Sequence, residues 1–328
     1  MLVSFAVYVA ASDDIFLTKQ PSAAPKPQGN LTVRLKPHED WTREICLGIF
    51  LAAYAINIYL GRRLNQHLAL WWTTQIAQAG GILDCNFAQL GPRPSAQADG
   101  AILLRESMSL YKLYATGRRH VTSAEFVLAL RQRQDLLAVL WALLAPSSDV
   151  FEIRLRLPES SPPLVALLAR PAAQRSAAQA PEVKELTKSI DVPKLQGLSD
   201  FPSADQLVVR GESGASLSTL LDGSWWRCAL APAPWALLSR HFRSLKISGQ
   251  GLSKEAVAEA LSLAQSGGDA ASSPGPSAVN EIVLTMHLPP MNEQGVGIVA
   301  SALRLALGAA DALGVAQLSP EAARRAQA

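Results

Sequence analysis

The run ICLGIFLAAYAINIYL, Ile45–Leu60, constrains this chain more than any other stretch. It carries no charge, and Arg43 and Glu44 precede it while Gly61, Arg62 and Arg63 follow. As a helix it would extend about 24 Å, against a bilayer hydrocarbon core of about 30 Å. Two placements satisfy such a run: the core of a soluble domain, or a short membrane span. Thin bilayers and flanking arginines that snorkel to the surface favour the span, so one transmembrane helix is expected. Asn57 is the amide within it, either a partner for interhelical hydrogen bonds in lipid or a group placed near the interface. The Arg62–Arg63 doublet marks the C-terminal side as cytosolic, although Lys19, Lys26, Arg34, Lys36 and Arg43 precede the run.

Before the run, MLVSFAVYVAAS reads as a degenerate signal, a start-site artefact or a plain strand. KQPSAAPKPQGN (19–30) reads as an extended linker. The expected organisation is therefore an N-terminal segment 1–44, a transmembrane helix 45–61, a domain 62–318 and a short tail 319–328. The net charge of +3 on 328 residues is too small to argue for nucleic acid by itself. Cys46, Cys85 and Cys228 are too scattered for a disulfide framework or a zinc site, and read as free thiols.

After the span, RRLNQHLALWWTTQIAQAGGILDCNF reads as helix broken at Gly80–Gly81, and residues 101–116 as another. Gly117 can end that helix in the left-handed conformation. Thr122 and Glu125 form a T-x-x-E capping box, which opens a helix over 122–145 with Phe126, Val127, Leu130, Leu137, Leu140, Trp141 and Leu144 on its apolar face. Arg118, Arg119 and His120 then stand on the intervening turn, with Arg131 and Arg133 off the apolar face. VFEIRLRL (150–157) alternates strictly and predicts a strand, joined in a hairpin to PLVALLAR (163–170). A short helix is expected near 181–190, weaker strands at 225–231 and 245–250 around a helix at 233–243, and a helix at 251–266 capped by Ser253. A surface loop covers 267–278, a strand 281–288 and a helix 297–313. Helices followed by mixed elements predict an α+β domain, its helices packed on a mixed, largely antiparallel sheet.

Motifs that imitate enzymes fail on context. GVGIVA (295–300) matches a nucleotide fingerprint in letters, but PPMNEQ separates it from the preceding strand. GESGA (211–215) lacks the second glycine of a nucleophile elbow. Ser109 and Lys112 make an S-x-x-K too short to signify. His38, His67, His120, His241 and His287 have no metal-ligand spacing. No catalytic, cofactor or metal residue is expected.

The segments EICLGIFLAAYAINIYLG, LLRESMSLYKLYATGRR and LRQRQDLLAVLWALLAPSSDVFEIRL, in this order, resemble the calumin family of coiled-coil-containing ER membrane proteins. The resemblance covers about residues 43–313, is sharpest at the GR and RQDLL segments, and is divergent over 171–280. It implies a single-pass protein of the endoplasmic reticulum with a luminal N-terminus and a cytosolic main domain. It also implies a non-enzymatic role in the PAT intramembrane-chaperone complex, assisting insertion and folding of multipass membrane proteins at the ribosome-bound translocon. The implied partners are a small Asterix-like chaperone subunit, the Sec translocon, the ribosome with its RNA, and the client proteins. Arg118, Arg119, His120, Arg131 and Arg133 are the candidate partner contacts.

Two departures limit the carry-over. The acids of the first 44 residues are only Asp13, Asp14, Glu39, Asp40 and Glu44, which does not support the calcium-binding role sometimes suggested for the family. The family's long charged coiled coil is not matched by SPEAARRAQA, so ribosome contact through such a tail is not carried over. Two other classes stay open: a membrane-anchored enzyme of unrecognised type and a peripheral RNA-binding module.

Overall fold

The computed structural model describes residues 41–91, 103–145, 147–158, 161–162, 164–179, 181–190, 192, 200–251 and 279–315. Ile49–Ala328 is one compact unit; of Met1–Gly48, the described residues 41–48 are the opening turns of a helix, all exposed. The expected linker, the 251–266 helix beyond Gly251, the 267–278 loop and the tail lie outside the described residues.

The first helix, α1, runs from Trp41 to Ala77. Leucine, isoleucine and alanine favour it and no proline interrupts it. The expected break follows at Gly80, whose φ of 73° suits glycine and whose N–H donates to Asp84 Oδ2 at 2.9 Å. The apolar run is thus the first part of a longer helix. Its buried positions are Gly61, Asn65, Ala69, Trp72, Thr73 and Ile76, a stripe at three- and four-residue spacing that begins where the apolar run ends.

Among the described residues, ten strands make one sheet: β1 (Gln89–Leu90), β2 (Leu103–Arg105), β3 (Leu110–Thr116), β4 (Ser123–Ala129), β5 (Val150–Arg156), β6 (Ala166–Ala169), β7 (Lys188–Ile190), β8 (Val208–Gly211), β9 (Phe242–Gly251) and β10 (Val279–His287). The order is β1-β3-β4-β5-β10-β9-β6-β8-β7, with β2 also on β3. Every pairing among the described residues is antiparallel, so the fold is α+β as expected but the sheet is not mixed.

Register aligns the core. Leu113, Phe126, Ile153, Leu284 and Leu245 form one continuous inward row, and Ala115, Ala124, Leu155, Ile282 and Ile247 another. The alternate residues, among them Lys112, Glu125, Glu152, Arg154 and Glu281, face the other way. The inward face shares one cluster with the second half of α1 and with the last described helix, α8 (Glu293–Val315). Three short helices, α5 (Gly214–Leu221), α6 (Arg227–Leu230) and α7 (Pro232–Leu238), pack on α8. At β6 the other face is covered too: Val165, Leu167 and Ala169 meet Val183 of α4 (Pro181–Leu186) and are flanked by Ala177 and Ala178 at the end of α3 (Pro171–Ala177).

Several sequence expectations are corrected here. Residues 101–116 are not a helix: LYKLYAT alternates buried and part-exposed residues and forms β3. Residues 122–145 are not one helix but β4, a loop and the short helix α2 (Leu136–Leu144). The capping-box residues serve the sheet instead: Thr122 N–H donates to Arg156 O, and Glu125 pairs with Lys112 at 3.0 Å. Gly117 does adopt a positive φ, 88°, but it turns a hairpin rather than ending a helix. β5 and β6 are both strands, yet they form no hairpin, because β10 and β9 lie between them. The expected strand at 225–231 is a turn and α6, with Trp225 and Trp226 donating their indole N–H groups to Leu220 O and Leu221 O. Lys112 of the S-x-x-K pair lies on β3, held by Glu106 and Glu125. Ser213 of GESGA caps α5, and GVGIVA lies in the opening turns of α8.

Candidate functional site

The apolar surface is concentrated where the exposed half of α1 meets its buried half. Ile49, Leu51, Ile56 and Leu60 are exposed there, while Tyr54, Asn57 and Ile58 are half-covered. What covers that side includes the loop between β4 and α2. Asn57 Nδ2 donates to Arg133 O at 3.2 Å. One turn on, a Cβ at Gly61 would stand 2.3 Å from the same carbonyl, so only glycine lets the loop approach this closely. Asn65, fully buried, donates to Arg131 O at 3.0 Å and accepts from Arg133 Nη1 at 2.9 Å.

Arg133 closes the arrangement. Its guanidinium reaches both oxygens of Asp149, at 3.0 and 2.6 Å, a bidentate pair across the two ends of the α2 excursion. Asp149 Oδ1 also accepts from Arg131 N at 2.8 Å. Arg131 N, Arg131 O and Arg133 O of the loop thereby have partners, which allows it to sit against α1.

Above this base stands α2, LLAVLWALL, in which no residue is buried. Leu137 is 64%, Trp141 66%, Leu143 80% and Leu144 79% exposed. Asp135 caps it, accepting from Leu137 N at 3.0 Å. Of the apolar face expected over 122–145, the part on α2 (Leu137, Leu140, Trp141 and Leu144) is therefore open, while Phe126, Val127 and Leu130 are buried. At the exit, Ser148 Oγ lies 2.7 Å from His287 Nδ1, and Leu288 N–H donates to Asp149 O. Burial holds His287 and His241 below the ordinary histidine range, and the nearby Arg243, His241 and Arg170 lower His287 further.

The basic residues do not form one patch. Arg118 is inboard: its guanidinium donates to Asn86 Oδ1 and pairs with Asp311 of α8 at 2.6 Å. His120, at a φ of 61°, lies so close over α8 that a Cβ at Gly314 would come within 2.3 Å of its ring. Only Arg119 of the three is exposed. Arg131 and Arg133 lie beyond the far end of β4, a separation of about 20 Å for a seven-residue strand. Of the candidate contacts on the turn, Arg118 is thus engaged within the domain rather than displayed on it.

An open cleft of about 660 Å³ has Arg170, Asp200, Asp205 and Gln206 on its walls, and Gln206 Oε1 there accepts from Trp235 Nε1 at 2.9 Å. Among the described residues no group of three or more His, Cys, Asp or Glu side chains is placed to hold a metal.

Among the described residues, long apolar helices occur twice. α1 and α8 both have the length and a mean hydropathy of 1.6 over their best window that a membrane span requires, but 56% of that window is buried in α8 against 6% in α1. α8 is a core helix. The model of the PAT complex subunit CCDC47 family matches residues 40–328, from the start of α1 onward. The chain belongs to that family. An uncharacterized protein of Arabidopsis thaliana is 33% identical over 138 residues, 42% of this chain and 28% of the relative. The PAT complex subunit CCDC47 of Bos taurus is 27% identical over 189 residues, 56% of this chain and 38% of the relative. Its Homo sapiens counterpart is 30% identical over 119 residues, 35% and 24% respectively. The matched part of this chain thus spans well under half the length of these relatives. The family is that of a complex subunit, and no enzyme family is indicated.

Asn57 was legible as an exception in an apolar run, but Gly61, Asn65 and Asp149 were not. Their signal is relational: a glycine and an amide one turn apart on α1, opposite a loop whose position depends on β4 and β5.

Proposed function

We propose that this protein is a non-enzymatic subunit of a PAT-type intramembrane chaperone complex in the endoplasmic reticulum membrane, assisting insertion and folding of multipass membrane proteins at the translocon. The family match over residues 40–328 carries the reading. The exposed apolar half of α1 supplies its physical counterpart. Residues 45–61 are the membrane segment, the N-terminus is luminal, and the domain from Arg62 onward is cytosolic, with the arginine doublet at its boundary. Asn57 then belongs to the anchorage of the α2 loop rather than to lipid. Arg119 and Arg131 remain the basic groups through which ribosomal or translocon contacts would be made, beside a small membrane chaperone subunit as partner.

The test is alkaline carbonate extraction followed by mild-detergent purification from the native membrane. The protein should stay in the pellet and carry a small membrane subunit and translocon components with it. Release into the supernatant would refute the anchor, and retention without such partners would refute the complex.

A further inference from the structure

We propose that α2 is a second membrane-contacting element, lying in the acyl–headgroup boundary of the leaflet entered by the Gly61 end of α1. The proposal rests on the reading of α1 as a membrane anchor and adds to it a second, separate contact with lipid.

The geometry points to lipid for three reasons. First, α2 has no polar side chain between Leu136 and Leu144, and none of its residues is buried. Only Leu136, Ala138 and Ala142 are half-covered, so the large side chains Leu137, Leu140, Trp141, Leu143 and Leu144 face outward together. A protein-docking surface of this size would ordinarily carry a polar rim, and α2 offers none. Nine residues extend about 13 Å, far too short to cross a bilayer but enough to lie within its boundary.

Second, the base of α2 is fastened to α1 at the end of the apolar run. Asn57 and Gly61 hold the Arg133 carbonyl, and Arg62 and Arg63, the first charges after the run, follow at once. Once Ile49–Ile56 is in hydrocarbon, α2 begins at the depth where hydrocarbon gives way to headgroups. Continuity with the anchor, not apolarity alone, selects the occupant.

Third, the excursion is rigidly presented. The Arg133–Asp149 pair closes its two ends, Asn65 holds Arg131 O, and Asp135 caps the helix. Trp141 on such an element suits the interface, where its ring is buried among acyl chains while its N–H stays near water.

The test uses the full chain with Cys46, Cys85 and Cys228, all exposed, replaced by serine. Single cysteines are introduced as Leu144→Cys on α2, Ile49→Cys on α1 and Arg119→Cys on the basic turn. Each carries a polarity-sensitive fluorophore, and the protein is placed in nanodiscs whose lipids bear bromine on the acyl chains. Labels at 144 and 49 should lose most of their fluorescence, while that at 119 keeps it. Quenching at 49 without quenching at 144 would overturn the α2 proposal and leave the anchor standing. In the unlabelled Leu144→Cys protein, an intermolecular disulfide formed on adding a copper–phenanthroline oxidant would then identify a second copy as the cover instead. No quenching at either position would overturn the anchor itself. A further variant, Leu140→Asn with Leu143→Asn and Leu144→Asn, alters no buried side chain. In it a label at Leu137→Cys should lose its quenching while Ile49→Cys keeps it. Persistent quenching at 137 would show that α2's own apolar surface does not drive insertion, and would also overturn the proposal.

Discussion

At the scale of single residues, two neighbours on the basic turn have opposite duties. Arg118 is part-buried and ties the turn to Asn86 and to Asp311 on α8, whereas Arg119 is exposed. Arg118→Ala leaves two acceptors without a donor and should cost about 1–3 kcal/mol, while Arg119→Ala should stay within about 0.5 kcal/mol. Urea unfolding in mild detergent separates them, and equal effects would contradict the placement of Arg118. Gly61 is the second such case. Gly61→Ala puts a methyl group against Arg133 O, where backbone must move, and should cost about 1–3 kcal/mol. Hydrogen exchange should rise over Arg131–Asp135 in that variant; unchanged protection would mean that the contact is not needed.

Between elements, α2 and α8 show that apolarity does not determine burial. Both are rich in leucine, but α8 lies across the inward face of the sheet and α2 touches little of the domain. Leu303→Ala on α8 should cost about 2–5 kcal/mol, the penalty of a cavity in a closed core. Leu137→Ala on α2 should cost under about 0.5 kcal/mol in detergent-solubilised protein. A large loss at Leu137 would mean that α2 is packed within the domain after all. The same contrast explains the misread helix at 122–145: Phe126 and Leu137 fit one helical face on paper, but Phe126 belongs to an inward row of the sheet and Leu137 to an open helix beyond it.

For the whole molecule, the two halves of the sheet are joined by a long-range pairing, β5 with β10, whose Val150–His287 end lies beside the α2 excursion. His241 and His287 stand at that end, both held below the ordinary histidine range mainly by burial. The unfolded chain therefore binds their protons first, near pH ~6.5, and the folded chain only at lower pH. Stability is full above that value and falls as pH drops through it toward the folded-state values. The urea midpoint should decrease between about pH 7.5 and 5.5, and His241→Gln with His287→Gln should flatten the slope. A slope unchanged in the double variant would assign the pH dependence to other groups.

The sequence alone was enough for what is local or periodic. The apolar run with its charged boundary, the strict alternation of 150–157, the strand at 281–288, the break at Gly80–Gly81, the α8 helix and the family itself were all readable, because each is written in consecutive residues. Only the tertiary structure decided the rest. LYKLYAT and TSAEFVLA contain residues that form helices readily, and they became strands because β5 offered β4 a matched row of partners, as β4 in turn did for β3. Whether Arg118 projects depended on Asp311, far along the chain, and whether α2 is buried depended on what the other helices left uncovered. Contacts between residues distant in sequence leave no period to read, so partner choice at the β5 edge and the open face of α2 exist only once the chain has folded.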